Sequence, residues 1–525
     1  MMDDDFIKGK SPEYIALWLI YHGESEFKSL TDKYFKLKDN YPNDNQMIIL
    51  LETLKEEGCL EITKEHKYLI TEKGKEYMNK QYFDYLYKDE NKKEYTPEEK
   101  KNIKLTFEET NNLINMAEKF WCIKPFFYNE SKMFWMWDNI ETRWKMTDEI
   151  NIMNELDDIW KSNITYKNKF KSEMLESFRR VGRKHLPKDL PKTFIQFKDK
   201  FFDIKTKKVI PVTPEYFATN PIPYELGSNS STPVIDKLFE EWVGKDYVIT
   251  LHEIIAYCCL SSYPIHSLFA FVGVGRNGKS TFQNLLKRFI GKDNICSSEL
   301  DLLINNRFES AKLYRKLVCL MGETNSNTLK NTSVLKKLCG QDMIGYEFKN
   351  KTPFDDENYA KIIINSNSLP PSEDTSEGFY RRWMVICFDN KFPEGRDILN
   401  DIPDYEYTNL CKKITELLPV LLDRGSFTNQ QSIDKRKEDY LIASNPLPLF
   451  INQFCFKSDD SEQNFGDFVK AYNSYLKRKF RCPVGVTKIS KLLKIEGYET
   501  YRRNDENNKK TRYIIGFSIN VPLIE

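Results

Sequence analysis

The sequence predicts an α/β core, a central parallel sheet with helices on both faces, flanked by smaller modules built from helices and short hairpins. Three observations predict it. The run FVGVGRNGKSTFQNLL (271–286) sets a glycine-bounded loop between an apolar stretch of strand length and a helical stretch. Between 235 and 400, apolar runs alternate with helical segments, the pattern of strands joined by covering helices. Near each end of the chain, helical spacing gives way to two short strand-like runs around a turn.

At the N-terminal side, MIILLETLKEEG (47–58) is amphipathic, and CLEITKE and YLITEKG read as strands around a turn. Helices followed by such a wing predict a winged-helix-like module over 1–90. Its 13 Lys against 19 acidic residues, a net of −6, repel phosphates, so docking of a protein partner is expected at least as much as DNA. The polar stretch KDENKKEYTPEEKKN, with Pro97, predicts a linker at 91–103. Region 104–232 is expected to be α+β. It opens with Trp121, Phe126, Phe127, Tyr128, Trp135, Trp137 and Trp144, read as core rather than as a base-stacking surface. Residues 161–210 carry 15 Lys or Arg against 5 acids, either a solvated face or a nucleic-acid surface.

The core is placed at 233–400. SLFAFV (267–272) is strand-like, and STFQNLLKRFI (280–290) repeats Phe282, Leu285, Leu286 and Phe289 at helical spacing. The loop between them fits G-x-x-x-x-G-K-[ST] with Gly273, Gly278, Lys279 and Ser280. Strand, glycine loop and helix together aim backbone N–H groups and the positive helix end at phosphates. Lys279 is expected on the β- and γ-phosphates and Ser280 on Mg²⁺, with Thr281 beside them. Gly275 and Asn277 tolerate the tight backbone that bulkier residues resist.

Hydrolysis of a nucleotide also needs a carboxylate, a polar group to orient water and a cation for developing charge. RKLVCLMGETN (315–325) is an apolar run ending in Glu323, and KIIINSNSLPP (361–371) is one ending in Asn365 and Asn367. GFYRRWMVICF (378–388) brings Arg381 and Arg382 to a third. Between acid and asparagine, YEFKNKTPF predicts a hairpin whose tip offers Lys349 and Lys351, with Asp355, Asp356 and Glu357 softening the field nearby. Paired lysines grip a strand by its phosphates without reading bases.

A connecting helical region is expected at 401–440, then a basic winged helix at 441–525. FGDFVKAYNSYLKRKF and TKISKLLKIEGY read as helices, YETYRR and TRYIIGFSI as a wing with Tyr513, Ile515, Phe517 and Ile519 alternating on one face. Residues 477–513 hold 12 Lys or Arg and 4 acids, so Lys488, Lys491, Lys494, Arg502 and Arg503 are expected on DNA.

The order loop, acid, asparagine, arginine resembles superfamily III helicases, and looks most like the primase–helicase branch of poxviruses, phages and mobile elements. KTFIQFKDKFFDIKTKKVIPVTPEYFATNPIPYEL (192–226) resembles the domain preceding the ATPase there. The nearest look-alikes are self-loading replication initiator helicases of mobile genetic elements. The resemblance implies an AAA+ ATPase with ATP and Mg²⁺ as cofactors. Glu323 would be the Walker B acid and share the metal with Ser280, and Asn367 the sensor. Arg382 matches the arginine finger, with Arg381 as the alternative. The lysine hairpins would line a homo-oligomeric ring, a hexamer, that travels 3′→5′ on one strand and unwinds duplex DNA at an origin. One departure is Gly322, where many members carry a first Walker B acid. No primase acids stand out in 1–230. An ATP-gated DNA-binding initiator or regulator without unwinding, or a DNA translocase, are the alternatives.

With 79 basic and 78 acidic residues among 525, net charge names no partner. Eleven scattered cysteines without C-x-x-C, and five histidines, argue against a zinc site and for reduced thiols. The acidic N-terminus lacks an apolar signal core, and no apolar run nears the ~20 residues that span a bilayer. A cytoplasmic protein without membrane contact is expected.

Overall fold

The computed structural model describes residues 112–520 apart from 161–167, 274, 324–327, 394–396, 480–483 and 505–509, with short pieces of the first 71 residues. The chain divides into two compact units, Met1–Ile103 and Lys104–Glu525. In the first, β1 (Leu60–Ile62) and β2 (Tyr68–Ile70) pair antiparallel, as their sequence pattern suggests. Most of the acidic module, and the linker at 91–103, lie outside the described residues.

The second unit opens with α1 (Leu113–Ile123), strands β3 (Phe126–Tyr128), β4 (Phe134–Asp138) and β5 (Arg143–Thr147), then α2 (Glu149–Trp160) and α3 (Asn168–Lys184). The three strands form an antiparallel sheet whose alternation splits its aromatics between two cores. Phe126, Phe134 and Met136 pack with Phe120 and Phe178 of α1 and α3. Phe127, Trp135 and Trp137 face the other way, into the core shared with the rest of the unit. The aromatic density is therefore core, as the sequence reading has it. A second antiparallel sheet holds β6 (Phe194–Phe197), β7 (Lys200–Asp203) and β8 (Val209–Pro211). The basic stretch around it is partly neutralised. Arg179 pairs with Glu149, Lys188 with Glu215, Lys192 with Glu357 and Lys198 with Glu225.

Helices α4 (Pro233–Val243) and α5 (Val248–Cys258) lead to the central sheet. The chain then runs through β9 (Leu268–Val272), α6 (Lys279–Ile290), β10 (Ile295–Ser298), α7 (Leu300–Asn305), β11 (Val318–Met321), α8 (Ser333–Leu338), a separate hairpin of β12 (Met343–Tyr346) and β13 (Phe354–Glu357), β14 (Lys361–Ser366), α9 (Glu377–Tyr380) and β15 (Trp383–Cys387). The sheet order is β10-β11-β14-β9-β15 and every pairing is parallel. Every residue of β9, β11 and β14 is buried. Continuous apolar runs, rather than alternating ones, are what a parallel sheet covered on its faces demands. Helix α6 buries Phe282, Leu285, Leu286, Phe289 and Ile290 and stops at Gly291, whose φ of +89° suits glycine. A carboxylate holds the start of α4. Glu406, fully buried in α10 (Asp404–Arg424), accepts from Val234 N and Ile235 N at 2.9 and 3.0 Å.

After α11 (Ile433–Ser444), a C-terminal module has its own core around Phe450, Phe468, Leu493 and Phe517. It comprises α12 (Leu447–Phe454), β16 (Cys455–Asn464), α13 (Phe465–Arg478), α14 (Val486–Ile495), β17 (Thr500–Asn504) and β18 (Lys510–Ile519), with sheet order β16-β18-β17. The expected alternation in β18 does not hold. Ile514 and Phe517 are the buried pair and Ile515 is exposed. Gly516, at φ +104°, shifts the strand's parity between them. The nine described cysteines are free thiols, and no described helix is long and apolar enough to cross a membrane.

Candidate functional site

Because β9, β14 and β11 are adjacent and parallel, the residues just beyond them meet at one edge of the sheet. This carboxyl edge is where open α/β sheets bind ligands. The loop after β9 is closely built. An added Cβ at Gly273 would overlap Asn277 Nδ2 and the Phe388 carbonyl. At Gly278, with φ +91°, it would lie 2.6 Å from Trp242 Cδ1. Both motif glycines are therefore required by contact, and the second by conformation as well. Asn277, 2% exposed, donates to Phe388 O at 2.7 Å, and Phe392 N donates to Arg276 O at 2.8 Å, so the segment after β15 braces the loop.

Lys279, the first residue of α6, is buried and donates to Gly273 O at 2.7 Å and Asn277 Oδ1 at 2.9 Å. Burial pulls its pKa below the ordinary lysine value, and the Glu323 carboxylate opposes that. No side chain caps α6, because its N-cap is Gly278. Ser280 is exposed at the helix start and Thr281 is half-buried. Asn365 donates to the Lys279 carbonyl at 3.1 Å, while its Oδ1 is buried without a hydrogen-bond partner among the described residues. The glycine cradle and the uncapped helix end suit an anion, whereas the orphan Asn365 acceptor takes a donor, which an ionised phosphate does not supply.

Glu323 and Asn367, both exposed, meet across the ends of β11 and β14, with Asn367 Nδ2 donating to Glu323 Oε1 at 2.8 Å. Glu323 thus faces the same edge as Lys279. The two arginines do not. They precede β15, and Trp383 pairs with Leu268 at the start of β9, so they stand at the opposite edge of the sheet. Arg382 is only 9% exposed and its guanidinium donates to Gly378 O, whereas Arg381 is exposed. The residue ranked first from the sequence is thus held inside, and its neighbour is presented to solvent.

The lysine-tipped hairpin exists as read, with Tyr346 opposite Phe354. Phe348 and Phe354 stack beside its turn and Tyr314 packs edge-on against Phe354. Lys349 and Lys351 are exposed, and Lys351 Nζ donates to Lys132 O at 3.0 Å, tying the tip to the β3–β4 turn. In the C-terminal module, Lys488, Lys491 and Lys494 share the exposed side of α14, opposite buried Ile489 and Leu493. Arg502 is exposed, and Arg503 pairs with Glu462 at 2.7 Å. No described group of His, Cys, Asp and Glu side chains is arranged to hold a metal by itself.

Sequence reasoning missed Trp242, which presses on Gly278 from 36 residues upstream with no motif to announce it. It also missed the Phe388 carbonyl, a backbone group that no residue pattern encodes.

Residues 271–382 match the model of a family of unknown function, DUF5906. A protein of Acanthamoeba polyphaga mimivirus named "Putative helicase L207/L206" is 28% identical over 155 residues, 28% of this chain. The match spans only 16% of that relative's length. Among solved structures, an apo form of the NrS-1 C-terminal region aligns with a TM-score of 0.43 at 13% identity, over 76% of this chain and 98% of that one. A second apo structure of that region (305–718) aligns at 0.41 and 13%, over 77% and 99%.

Proposed function

We propose that the chain is a ring-forming, ATP-dependent DNA helicase of the superfamily III type that serves replication initiation. One observation carries it. Lys279, on a loop whose glycines cannot be replaced without collision, shares a sheet edge with the Glu323–Asn367 pair. The helicase name of the mimivirus relative supports the same reading.

In this reading the α6 N-terminus, Lys279 and the loop amides hold the triphosphate, and Ser280 and Glu323 hold Mg²⁺. The metal supplies charge neutralisation at the phosphates. Glu323 polarises water at the γ-phosphate, and Asn367 fixes the orientation of that carboxylate. Arg381, exposed at the far edge of the sheet, serves the site of a neighbouring subunit, while Arg382 braces the turn that carries it. Lys349 and Lys351 grip one strand, and the basic side of α14 contacts duplex DNA.

The test is strand separation of a forked duplex with ATP and Mg²⁺, run beside Lys279→Ala. Unwinding by the wild type that vanishes in the variant is the expected result. Hydrolysis without unwinding would instead favour an ATP-gated DNA-binding initiator. Unwinding that survives Lys279→Ala would overturn the site.

A further inference from the structure

A cavity of about 340 Å³ opens beside the phosphate loop, on the side of β9 and β15. That volume falls in the range of small-ligand sites, roughly 300–1,000 Å³. Its walls touch the loop through their chain neighbours. Val243 follows Trp242, which lies against Gly278. Val272 precedes Gly273, and Cys387 and Asp389 flank Phe388, whose carbonyl accepts from Asn277. A ligand anchored by phosphates on this loop has this cavity next to it.

The lining suits one flat heterocycle. Val243, Tyr247, Val272 and Ile442 supply apolar surface from α4, the turn after it, β9 and α11. The charged groups are mostly spoken for. Lys435 pairs with Asp439 at 3.1 Å and with Glu438 at 2.9 Å, and Lys479, from the C-terminal module, reaches Glu438 at 3.4 Å. Asp389 differs. The Asp389 side chain is exposed and, among the described residues, has no hydrogen bond or ion pair, while partial desolvation by the cavity wall raises its pKa. A carboxylate can only accept hydrogen bonds, and placed beside a polyphosphate it is repelled unless the ligand brings its own donor.

We infer that this cavity is the nucleobase subsite and that Asp389 accepts a hydrogen bond from an exocyclic amino group of the base. The inference rests on the nucleotide reading of the phosphate loop and assigns the base end of the same ligand. Lys479 makes the C-terminal module part of the wall around that base.

The experiment measures binding of ATP, of purine riboside triphosphate, which lacks the amino group, and of inorganic tripolyphosphate to the full chain. The wild type should bind ATP about tenfold or more tighter than purine riboside triphosphate, the scale of one charge-assisted hydrogen bond. Asp389→Ala should bind the two alike, and Lys279→Ala should lose all three ligands. Equal binding of ATP and purine riboside triphosphate by the wild type overturns the subsite, and that comparison needs no variant. A preference for ATP that survives in Asp389→Ala overturns the role of Asp389. Failure of the wild type to bind ATP and tripolyphosphate alike would overturn the phosphate-loop reading itself.

Discussion

Asn367 Nδ2 lies 2.8 Å from Glu323 Oε1, joining the ends of two adjacent parallel strands across the edge that also carries Lys279. A carboxylate held by a side-chain amide donor loses its freedom to turn. Glu323→Gln should lower ATP turnover by about 10²–10⁴-fold with nucleotide affinity retained, the usual weight of a positioned base. Asn367→Ala should lower kcat less, with little change in KM. Steady-state hydrolysis and fluorescent-nucleotide titration check both, and undiminished turnover in Glu323→Gln would remove that residue from the chemistry.

The two arginines before β15 should part company. Arg381→Ala should fold normally, lose hydrolysis, and regain part of it when mixed with Glu323→Ala, because each variant supplies what the other lacks. Arg382→Ala removes a buried guanidinium that bonds the Gly378 carbonyl, so it should lower stability by about 1–3 kcal/mol. Thermal melting and mixing titrations read the two effects separately. Arg381→Ala with full activity when unmixed would exclude it as a finger.

At the hairpin, Lys349→Ala with Lys351→Ala should abolish unwinding while sparing nucleotide binding. Lys349→Ala alone should weaken single-stranded DNA binding and reduce the slope of log affinity against log salt by about 0.7, one phosphate contact. Lys351 also donates to Lys132 O, so its loss should in addition loosen the tip, seen as faster amide exchange at 347–353. An unchanged salt slope in Lys349→Ala would remove that lysine from the DNA path.

Lys361 gives a pH dependence. Its ammonium, fully buried at the start of β14, donates to Leu260 O and, at 2.8 Å, to Ser262 O, with the Tyr257 and Tyr263 rings 5.1 and 5.6 Å away. Burial nonetheless pulls its pKa down to about 7 from 10.5. Between those values the unfolded chain binds more protons than the folded one, so stability from this group rises with pH. The gain is at most about 1.4 kcal/mol per pH unit. Denaturant melts at pH 7 and pH 9 should show it, and Lys361→Met should flatten the difference. A parallel response in both proteins would assign the slope to other groups.

The sequence by itself determined four of the five strands of the central sheet, all but the half-polar edge strand β10, together with the glycine loop, the hairpin between acid and asparagine, and the sharing-out of charge. All of these follow from local rules. Buried parallel strands must be mainly apolar, as all of LFAFV and the central III of KIIINS are, and a loop that wraps phosphates needs glycine where a Cβ collides. Tertiary structure alone decided which of two adjacent arginines is buried, since Arg381 and Arg382 are equivalent as letters and differ only in what the turn before β15 packs against. It also decided that Trp242 closes on Gly278, that Phe388 lends a carbonyl to Asn277, and that Gly516 shifts the face of β18. Those are contacts between segments far apart in the chain, or a single backbone angle. Local composition has no physical means of specifying them until the chain has folded.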